Sequence, residues 1–360
     1  MQPRPLIYDF SQAELAEQLR GLGQPAYRAA QIWDGLYKQL WARPEDFTNL
    51  PKELRIQLAE HFSFASLKAI LTQHSSDKQT RKTLFKLPDN NAIETVLMRY
   101  DDRDGSQGRR TLCISSQAGC AMGCVFCATG QMGFRSNLSS GQIVEQVLYF
   151  ARQLKADGEH VTNVVLMGMG EPFHNYNAVM EAIARLNDPK GFGLGNRHFT
   201  ISTVGLIPAI KRYTKERHQM GLAISLHAAD DELRASMLPI NNRYPIKDLI
   251  QACRDYVDTS GRRITFEWAL ISGVNDTPEQ ARKLANLLHG LLCHVNVIPL
   301  NPTKGYGGKR STRESVAEFK RILEDGGISC TVRVRRGIDI QAGCGQLAEK
   351  AQGQLVHIDD

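Results

Sequence analysis

The feature that most constrains this 360-residue chain is a regular alternation of short apolar segments with amphipathic ones between residues 111 and about 325. It predicts strands at 112–115, 163–167, 198–202, 222–226, 264–270 and 295–300, and helices at 139–156, 176–186, 207–216, 247–259, 278–288 and 314–324. Strands that alternate with helices form a parallel sheet with right-handed crossovers. Because a closed eightfold barrel needs roughly 250 residues, we expect an α/β fold with a partial (β/α)6 barrel. A doubly wound open sheet is the alternative.

Three segments flank this region, and we expect a division at 1–62, 63–110, 111–325 and 326–360. The first carries a helical spacing of apolar residues and a capping-box pair, Ser11 and Glu14, and it predicts a small N-terminal helical domain. The second predicts a β extension with strands at 66–72, 83–87 and 92–100. The last predicts one more strand and a tail.

Composition narrows the class of protein. Hydrophobic residues make up 42% and charged residues 23% of the chain, as in soluble globular proteins. No apolar run approaches the roughly 20 residues of a membrane span, and the first residues lack the apolar core of a secretory signal. We therefore expect a cytoplasmic protein without a membrane partner.

The net charge of +6 permits a nucleic-acid partner but does not require one. Basic residues cluster in three places, and each cluster is a candidate for phosphate contacts: Lys78, Arg81, Lys82, Arg109, Arg110, Arg333, Arg335 and Arg336. A solvated surface is the commoner explanation of such clusters. Phosphate contacts would make binding salt-dependent.

Four of the eight cysteines crowd into residues 113–127, which in a reducing compartment indicates a metal or redox site and not a disulfide framework. Cys120, Cys124 and Cys127 have the spacing C-x3-C-x2-C. A [4Fe–4S] cluster normally takes four cysteines, so three leave one iron open. An open iron can bind S-adenosylmethionine, and an electron from the cluster then yields a 5′-deoxyadenosyl radical. Structural zinc is the alternative, but it needs a fourth ligand, for which Cys113 is the nearby candidate.

Polar residues stand where the predicted strands end, and ligands collect at the carboxyl ends of parallel strands. After the second strand, Gly170 lets a ligand approach closely, and Glu171 can accept hydrogen bonds from an ammonium group. Later strands end at four further polar side chains: Ser202, Ser225, His227 and Asn301. We expect all of these residues to surround a bound S-adenosylmethionine.

The cysteine motif, with Phe126 before its last cysteine, resembles the radical S-adenosylmethionine superfamily. The combined pattern resembles the RlmN/Cfr family of radical S-adenosylmethionine RNA adenosine methyltransferases over nearly the whole chain. The segments that carry this resemblance are 92–97, 113–127, 167–172, 202–205, 225–228, 239–241, 274–276, 298–302 and 344–347. The resemblance implies that Leu226, between Ser225 and His227, also belongs to the cofactor site.

The resemblance also implies two further functional cysteines and a base. Cys344 would take a methyl group from one S-adenosylmethionine, and the radical from a second would remove hydrogen from that methyl group, so two are used per turnover. The methylene radical would add to adenine C2, a carbon that is not a nucleophile. Glu94 would remove the ring proton, and Cys113 would attack the Cys344 sulfur, releasing the product through a transient disulfide. Gly343 stands where the family usually has alanine.

The resemblance implies two substrates: an adenosine of 23S rRNA in the peptidyl transferase centre, and the adenosine 3′ of the anticodon in some tRNAs. The target base would leave its stack to reach the site, and the N-terminal helices could add RNA contacts. A reductant such as flavodoxin or ferredoxin would supply electrons. Two alternatives stay open: methylation at adenine C8, and a non-catalytic, zinc-stabilised RNA-binding module.

Overall fold

The structure is a computed structural model that describes three stretches of the chain: 4–100, 108–333 and 336–347. Three helices lie at its N-terminal end: α1 (Gln12–Gly21), α2 (Tyr27–Asp34) and α3 (Lys52–His61). The predicted capping box begins α1, where Ser11 N donates to Glu14 Oε2 at 2.7 Å and Glu14 N donates to Ser11 Oγ at 3.2 Å. Trp33 is buried and donates from Nε1 to Asp188 Oδ2 at 2.9 Å, which ties these helices to the rest of the fold.

The described residues contain twelve strands: β1 (Lys68–His74), β2 (Thr80–Lys86), β3 (Ala92–Tyr100), β4 (Arg109–Cys113), β5 (Gln117–Gly119), β6 (Phe134–Asn137), β7 (Asn163–Leu166), β8 (Phe199–Thr203), β9 (Gly221–Ser225), β10 (Ile264–Leu270), β11 (Cys293–Pro299) and β12 (Cys330–Val332). Ten of them form one sheet in the order β1-β2-β3-β4-β7-β8-β9-β10-β11-β12, and β5 pairs with β6 separately. The β1–β4 strands pair antiparallel. From β4 to β12 every neighbouring pair is parallel.

The parallel strands are joined by helices: α4 (Ala128–Gln131), α5 (Ser140–Ala156), α6 (Tyr176–Asn187), α7 (Ile207–Lys215), α8 (Asp231–Met237), α9 (Ile246–Ser260), α10 (Pro278–Leu288) and α11 (Arg313–Asp325). Short 3-10 helices lie at Ile7–Asp9, Pro44–Asp46, Pro172–Asn175, Asn196–His198 and Pro239–Asn242, and a π-helical turn at Gly35–Gln39 follows α2.

The order of the parallel strands decides between the two predicted architectures. Each strand lies beside the one that precedes it in the chain, and the order never reverses among the described strands. A doubly wound sheet needs such a reversal, which puts helices on both faces. With right-handed crossovers and one direction of winding, the helices cover one face only. The partial (β/α)6 barrel is therefore confirmed, with β12 as a seventh parallel strand.

Most predicted boundaries lie within a few residues of the observed ones, and the exceptions have simple causes. The β5–β6 ribbon and α8 were not predicted, because segments this short carry little periodic pattern. The second strand of the extension begins at Thr80 and not at residue 83, so Lys82 lies inside β2, opposite Val96 of β3. The C-terminal strand ends at Val332.

A continuous hydrophobic core runs from the N-terminal helices into the barrel and includes Leu15, Trp33 and Phe150. A smaller cluster surrounds the cysteine loop and contains Cys124, Phe126 and Leu300. In the described part of the chain, no helix has both the length and the apolar character that a bilayer crossing requires.

Candidate active site

The cysteine motif lies on the loop that joins β5 to α4. The β5–β6 ribbon fixes its first member, because Cys120 N donates to Gly133 O at 3.0 Å. Gly119 has a φ of 70°, and a Cβ at this position would lie 1.9 Å from the same carbonyl oxygen, so the turn requires glycine. Cys127 N donates to Cys124 O at 3.1 Å, which closes the rest of the loop.

The three cysteines open onto a cavity of about 960 Å³ at the carboxyl ends of the parallel strands. Its wall also contains most of the residues predicted at the strand ends: Gly170, Glu171, Ser202, Ser225, His227 and Asn301. The structure thus brings the predicted cluster ligands and the predicted cofactor residues together.

The donor set of three cysteine thiols matches the three-thiolate attachment expected for an iron–sulfur cluster with one open iron. Burial raises the pKa of Cys120 to about 12 and that of Cys124 well above its usual value. Cysteines bind metals as thiolates, so the positive charge of a cluster would have to offset this burial. Among the described residues, no three His, Cys, Asp or Glu side chains are grouped closely enough to hold one metal ion.

Glu171 is buried and already oriented by the backbone. Its Oε1 accepts from Phe173 N at 3.0 Å, and its Oε2 accepts from Val204 N at 2.9 Å. The Thr203 side chain also hydrogen-bonds this carboxylate, and because two carboxylate oxygens offer about four acceptor sites, one remains for a ligand. Burial raises the pKa of Glu171 to about 7, and an ammonium group placed beside it would favour the ionised form.

His227 is held in one tautomer. Its Nδ1 accepts from Ala269 N at 2.9 Å, so the proton of the neutral ring is on Nε2. Burial lowers the pKa of His227 to about 3, and the ring stays neutral near pH 7. Its φ of 60° is uncommon for a residue with a side chain, and its ring meets Phe126 edge-on at 5.0 Å. The backbone and the ring of His227 are therefore both fixed by their surroundings.

The other predicted cofactor residues differ in their surroundings. Ser202 Oγ and Ser225 Oγ lie 3.5 Å apart on the cavity wall. Asn301 lines the cavity and also donates from Nδ2 to Cys344 O at 3.1 Å. Leu226 packs in the hydrophobic core, and its carbonyl oxygen accepts from Arg234 Nε at 3.1 Å. Its role in cofactor binding stays a prediction.

A second cavity is lined by two of the five cysteines that lie outside the cluster motif, Cys113 and Cys344. Cys344 and Asn301 line both cavities, so the two spaces share a wall. All eight cysteines of the described chain are free thiols. Burial raises the pKa of Cys113 to about 12.

The Cys344 thiol has a cationic neighbour that the sequence did not indicate. Arg333 Nη1 lies 3.7 Å from Cys344 Sγ and 3.8 Å from Glu267 Oε2. Cys344 is exposed as a residue, yet desolvation raises the pKa of its thiol, and the guanidinium opposes that rise. Glu267 itself is buried and lines the first cavity. A period-two pattern could not reveal this contact, because Arg333 follows the end of β12.

The tail segment, residues 337–347, is held by hydrogen bonds from several separate elements. Ala128 N donates to Gly345 O at 2.8 Å, and Thr129 Oγ1 donates to Leu347 O at 2.6 Å, so the residues just after Cys127 bind the end of the tail. On the other side, Ser76 N donates to Asp339 Oδ2 at 2.7 Å. The tail therefore crosses from β12 to the β extension.

Several predicted phosphate contacts are occupied within the protein. Lys82 is buried, with its Nζ 2.8 Å from Glu94 Oε1. Arg110 Nε donates to Glu159 Oε1 at 2.7 Å, and Arg81 donates to Gln153. With Arg333 at Cys344, these side chains are poor candidates for RNA. Lys82 was predicted as a phosphate contact because its strand was predicted to begin at residue 83, whereas β2 begins at Thr80.

Other members of those clusters remain accessible. Lys78 is exposed. The guanidinium of Arg109 lies 4.2 Å from the centre of the Tyr100 ring, and that of Arg336 lies 4.5 Å from it. Tyr100 and Arg336 line the second cavity. Arg335 lies outside the described residues.

Two family models match the chain. One describes the radical SAM superfamily and covers residues 114–287; the other describes the ribosomal RNA large subunit methyltransferase N-terminal domain and covers residues 7–64. Together with the barrel and the three cysteines, the first match defines an enzyme of the radical S-adenosylmethionine superfamily.

Relatives narrow this class to one family. A probable dual-specificity RNA methyltransferase RlmN of Chloroflexus aurantiacus is 49% identical, with 95% of this chain and 92% of that protein covered. The ribosomal RNA large subunit methyltransferase N of Nitrosopumilus maritimus is 47% identical, with 95% and 97% covered. A crystal structure of a radical SAM methyltransferase from Sphaerobacter thermophilus matches with a TM-score of 0.92 at 49% identity and covers 95% of this chain and 99% of that one. The chain belongs to the RlmN family of radical S-adenosylmethionine RNA methyltransferases.

Family membership confirms the predicted family, fold and enzyme class. It argues against the alternative of a non-catalytic, zinc-stabilised RNA-binding module, because the relatives are named as methyltransferases. The particular target atom and the roles of the individual site residues remain predictions.

Proposed function

We propose that this protein methylates C2 of adenosine in RNA, with Cys344 as the carrier of the added carbon and Cys113 as the thiol that releases the product. The observation that carries this proposal is the position of Cys344, which lines both the cavity of the cluster cysteines and the cavity of Cys113. A carbon attached to this sulfur would be exposed to cofactor chemistry on one side and to a base on the other.

The cofactor side would consist of a [4Fe–4S] cluster on Cys120, Cys124 and Cys127, with S-adenosylmethionine surrounded by Gly170, Glu171, Ser202, Ser225, Leu226, His227 and Asn301. When bound, these groups supply a radical that can remove a hydrogen atom from a methyl group, and they take one electron back later in the turnover. The chain's own residues orient the ligand and exclude water. Glu171 and the Nε2–H of His227 are suited to fix its polar groups.

The carbon transfer would take place on the chain's own side chains. The Cys344 thiolate would first take the methyl group of one S-adenosylmethionine: the new S–C bond forms, the sulfonium S–C bond breaks, and its electron pair leaves with the thioether sulfur. After that methyl has lost one hydrogen atom, its carbon forms a bond to adenine C2. The adduct loses one electron, and Glu94 accepts the C2 proton. The Cys113 thiolate then attacks the Cys344 sulfur. The S–S bond forms, the S–C bond breaks, and its electron pair stays on the carbon, which takes up a proton and becomes the methyl group.

RNA as the substrate is supported by the names of the relatives and by the Arg109–Tyr100–Arg336 stack beside the second cavity. The substrates would be 23S rRNA and tRNA, and the N-terminal helical domain would add RNA contacts. A reductant of the flavodoxin or ferredoxin class would supply electrons in the cytoplasm. In this proposal the chain is divided into an N-terminal helical domain (1–62), a β extension (63–110), the barrel (111–325) and the C-terminal strand and tail (326–360).

The test is mass spectrometry of the tryptic peptide that contains Cys344, together with nucleoside analysis of treated RNA. We expect S-methylcysteine at position 344 and 2-methyladenosine in the RNA. Cys113→Ala should retain the methylated cysteine and accumulate a covalent protein–RNA adduct, because the releasing thiol is missing. An unmethylated Cys344 peptide in active enzyme would contradict the carrier role, and 8-methyladenosine alone would contradict the C2 assignment.

A further inference from the structure

Lys82 is a buried cation next to the proposed base. Its side chain is 5% exposed, that of Glu94 is 3% exposed, and Lys82 Nζ lies 2.8 Å from Glu94 Oε1. Removing both charges from water is unfavourable, and a buried ion pair often contributes less to stability than apolar residues of the same size would. A role in stability alone is therefore a weak explanation for this pair.

The same ammonium group reaches the tail segment. Lys82 Nζ donates to Gln341 O at 3.3 Å, three residues before Cys344. Gln341 has a φ of 54°, in the left-handed region that residues other than glycine rarely adopt. The carbonyl group that Lys82 binds thus belongs to a turn whose backbone needs outside support. One side chain contacts both the proposed base and the segment that carries the proposed carbon carrier.

Both partners of the pair lie on the face of the extension that is turned toward the tail. Glu94 and Val96 share one face of β3, and Val96 pairs with Cys113 of β4. The backbone of Glu94 is fixed as well, because Ser115 Oγ donates to Glu94 O at 2.7 Å. The carboxylate, the releasing thiol and the tail are therefore arranged around Lys82.

We propose that Lys82 is a positioning residue that holds the Glu94 carboxylate ionised and in a fixed relation to the Cys344 tail. The inference rests on the proposed function, in which Glu94 accepts the adenine C2 proton: the C–H bond breaks, an O–H bond forms on the carboxylate, and the electron pair stays in the ring. In this proposal Lys82 contacts neither the adenine of the RNA nor the cofactor. It acts through Glu94 and through the carbonyl group of Gln341.

Other titratable and charged groups lie on the elements packed around the pair. Among the described residues they include the Cys113 thiol on β4, Glu171 on the turn after β7, and Asp339 on the tail, which Ser76 binds. Tyr100, Arg333, Arg336 and Cys344 line the same cavity as Cys113. Burial raises the pKa of Cys113 to about 12, so this thiol carries no charge near pH 7. Glu171 is engaged on the far side by Val204. Lys82 is a cation in direct contact with the Glu94 carboxylate.

The test compares Lys82→Met with Lys82→Arg, and uses Lys86→Met, an exposed lysine on the same strand, as the matched control. In Lys82→Met we expect normal iron content and normal S-methylation of Cys344, since neither needs Glu94. RNA methylation should fall most at acidic pH, and where Glu94 is fully protonated the loss should reach roughly 100-fold, the lower range for a lost general base. The acidic limb of the pH–rate profile should move up by about one unit or more, because a buried carboxylate without its cation takes up a proton more readily. Lys82→Arg should return the acidic limb of the pH–rate profile to its wild-type position, because arginine keeps the positive charge.

A packing role would lower the rate equally at every pH, and an unmoved acidic limb in Lys82→Met would overturn the proposal. If this variant loses iron, the comparison moves to Glu94→Gln against the double variant Lys82→Met/Glu94→Gln, in which both charges are absent. We expect the second change to cost no further activity, because coupled residues are not additive; additive losses would overturn the proposal. Failure of the proposed function is a separate result, since wild-type enzyme would then lack methylated Cys344 or 2-methyladenosine.

Discussion

At the rim of the barrel, Glu171, Ser202 and Ser225 follow or end parallel strands, so the hydrogen bonds of the sheet fix where their side chains can be. In the tail segment, Cys344 belongs to no strand or helix. The segment is held by single hydrogen bonds from separate elements, among them Asn301 to Cys344 O and Thr129 to Leu347 O. The rim is thus built cooperatively, whereas the tail depends on individual contacts. Damage to the rim should therefore remove cofactor chemistry, and damage to the tail should remove carbon transfer alone.

The largest expected difference separates two cysteines. Cys124→Ala and Cys344→Ala should both abolish RNA methylation, but only Cys124→Ala should lose the iron and the visible absorbance of the cluster, because Cys344 contacts Arg333 and is not proposed as a ligand. Iron analysis and cleavage of S-adenosylmethionine under anaerobic reduction measure the difference. Cys253→Ala, at a cysteine buried in α9, controls for the loss of a thiol. Loss of iron in Cys344→Ala would break the separation between rim and tail.

The second prediction concerns the rim and its pH dependence. Burial raises the pKa of Glu171 to about 7, and a ligand ammonium binds the ionised form. The association constant for S-adenosylmethionine should therefore be half-maximal near pH 7 and nearly full above pH 8. Well below pH 7 it should fall about tenfold per unit, as linkage to one proton requires. Glu171→Gln should weaken binding about 10- to 100-fold, the cost of a charge-assisted hydrogen bond, and should abolish this pH dependence.

Calorimetry on the cluster-loaded enzyme measures that affinity, and the methylation state of Cys344 reports on the tail in parallel. His227 adds no pH dependence above pH 5, since burial lowers its pKa to about 3. A wild-type affinity that is constant between pH 5.5 and 8 would show that Glu171 does not contact the ammonium group.

The same contrast explains what the sequence could predict. The rim was predicted from residues 168–172 and 225–227 because the carboxyl ends of parallel strands must converge, and β10 and α10 were predicted to the residue at 264–270 and 278–288. The contacts of the tail have no periodic signal. Lys82 was predicted as a phosphate contact, since the strand was predicted to begin at residue 83 and not at Thr80. Inside a strand, its alternation with Leu84 would have indicated an inward side chain.

The third prediction loosens the tail without touching the rim. Thr129→Val keeps the shape of the side chain and removes the hydroxyl that donates to Leu347 O at 2.6 Å. One hydrogen bond contributes about 1 kcal/mol, so tail exchange with deuterium should rise about fivefold and RNA methylation should fall by a similar factor, with unchanged iron. Thr259→Val, at an exposed threonine of α9, is the matched control. Unchanged exchange would mean that the remaining bonds suffice to hold the tail.

The smallest expected effect tests whether both the sheet and the tail contact RNA. Arg109 belongs to β4 and Arg336 precedes the tail, yet both lie against the ring of Tyr100. If each guanidinium neutralises one phosphate, Arg109→Gln and Arg336→Gln should each lower the slope of log affinity against log salt by about one, which is a few-fold change between 50 and 200 mM salt.

Arg321→Gln, whose guanidinium pairs with Asp325 on the outer helix α11, should leave the slope unchanged. Filter binding of an RNA hairpin at several salt concentrations measures these slopes. A change for Arg109 alone would assign RNA binding to the sheet, and a change for neither would mean that the stack only supports the cavity wall.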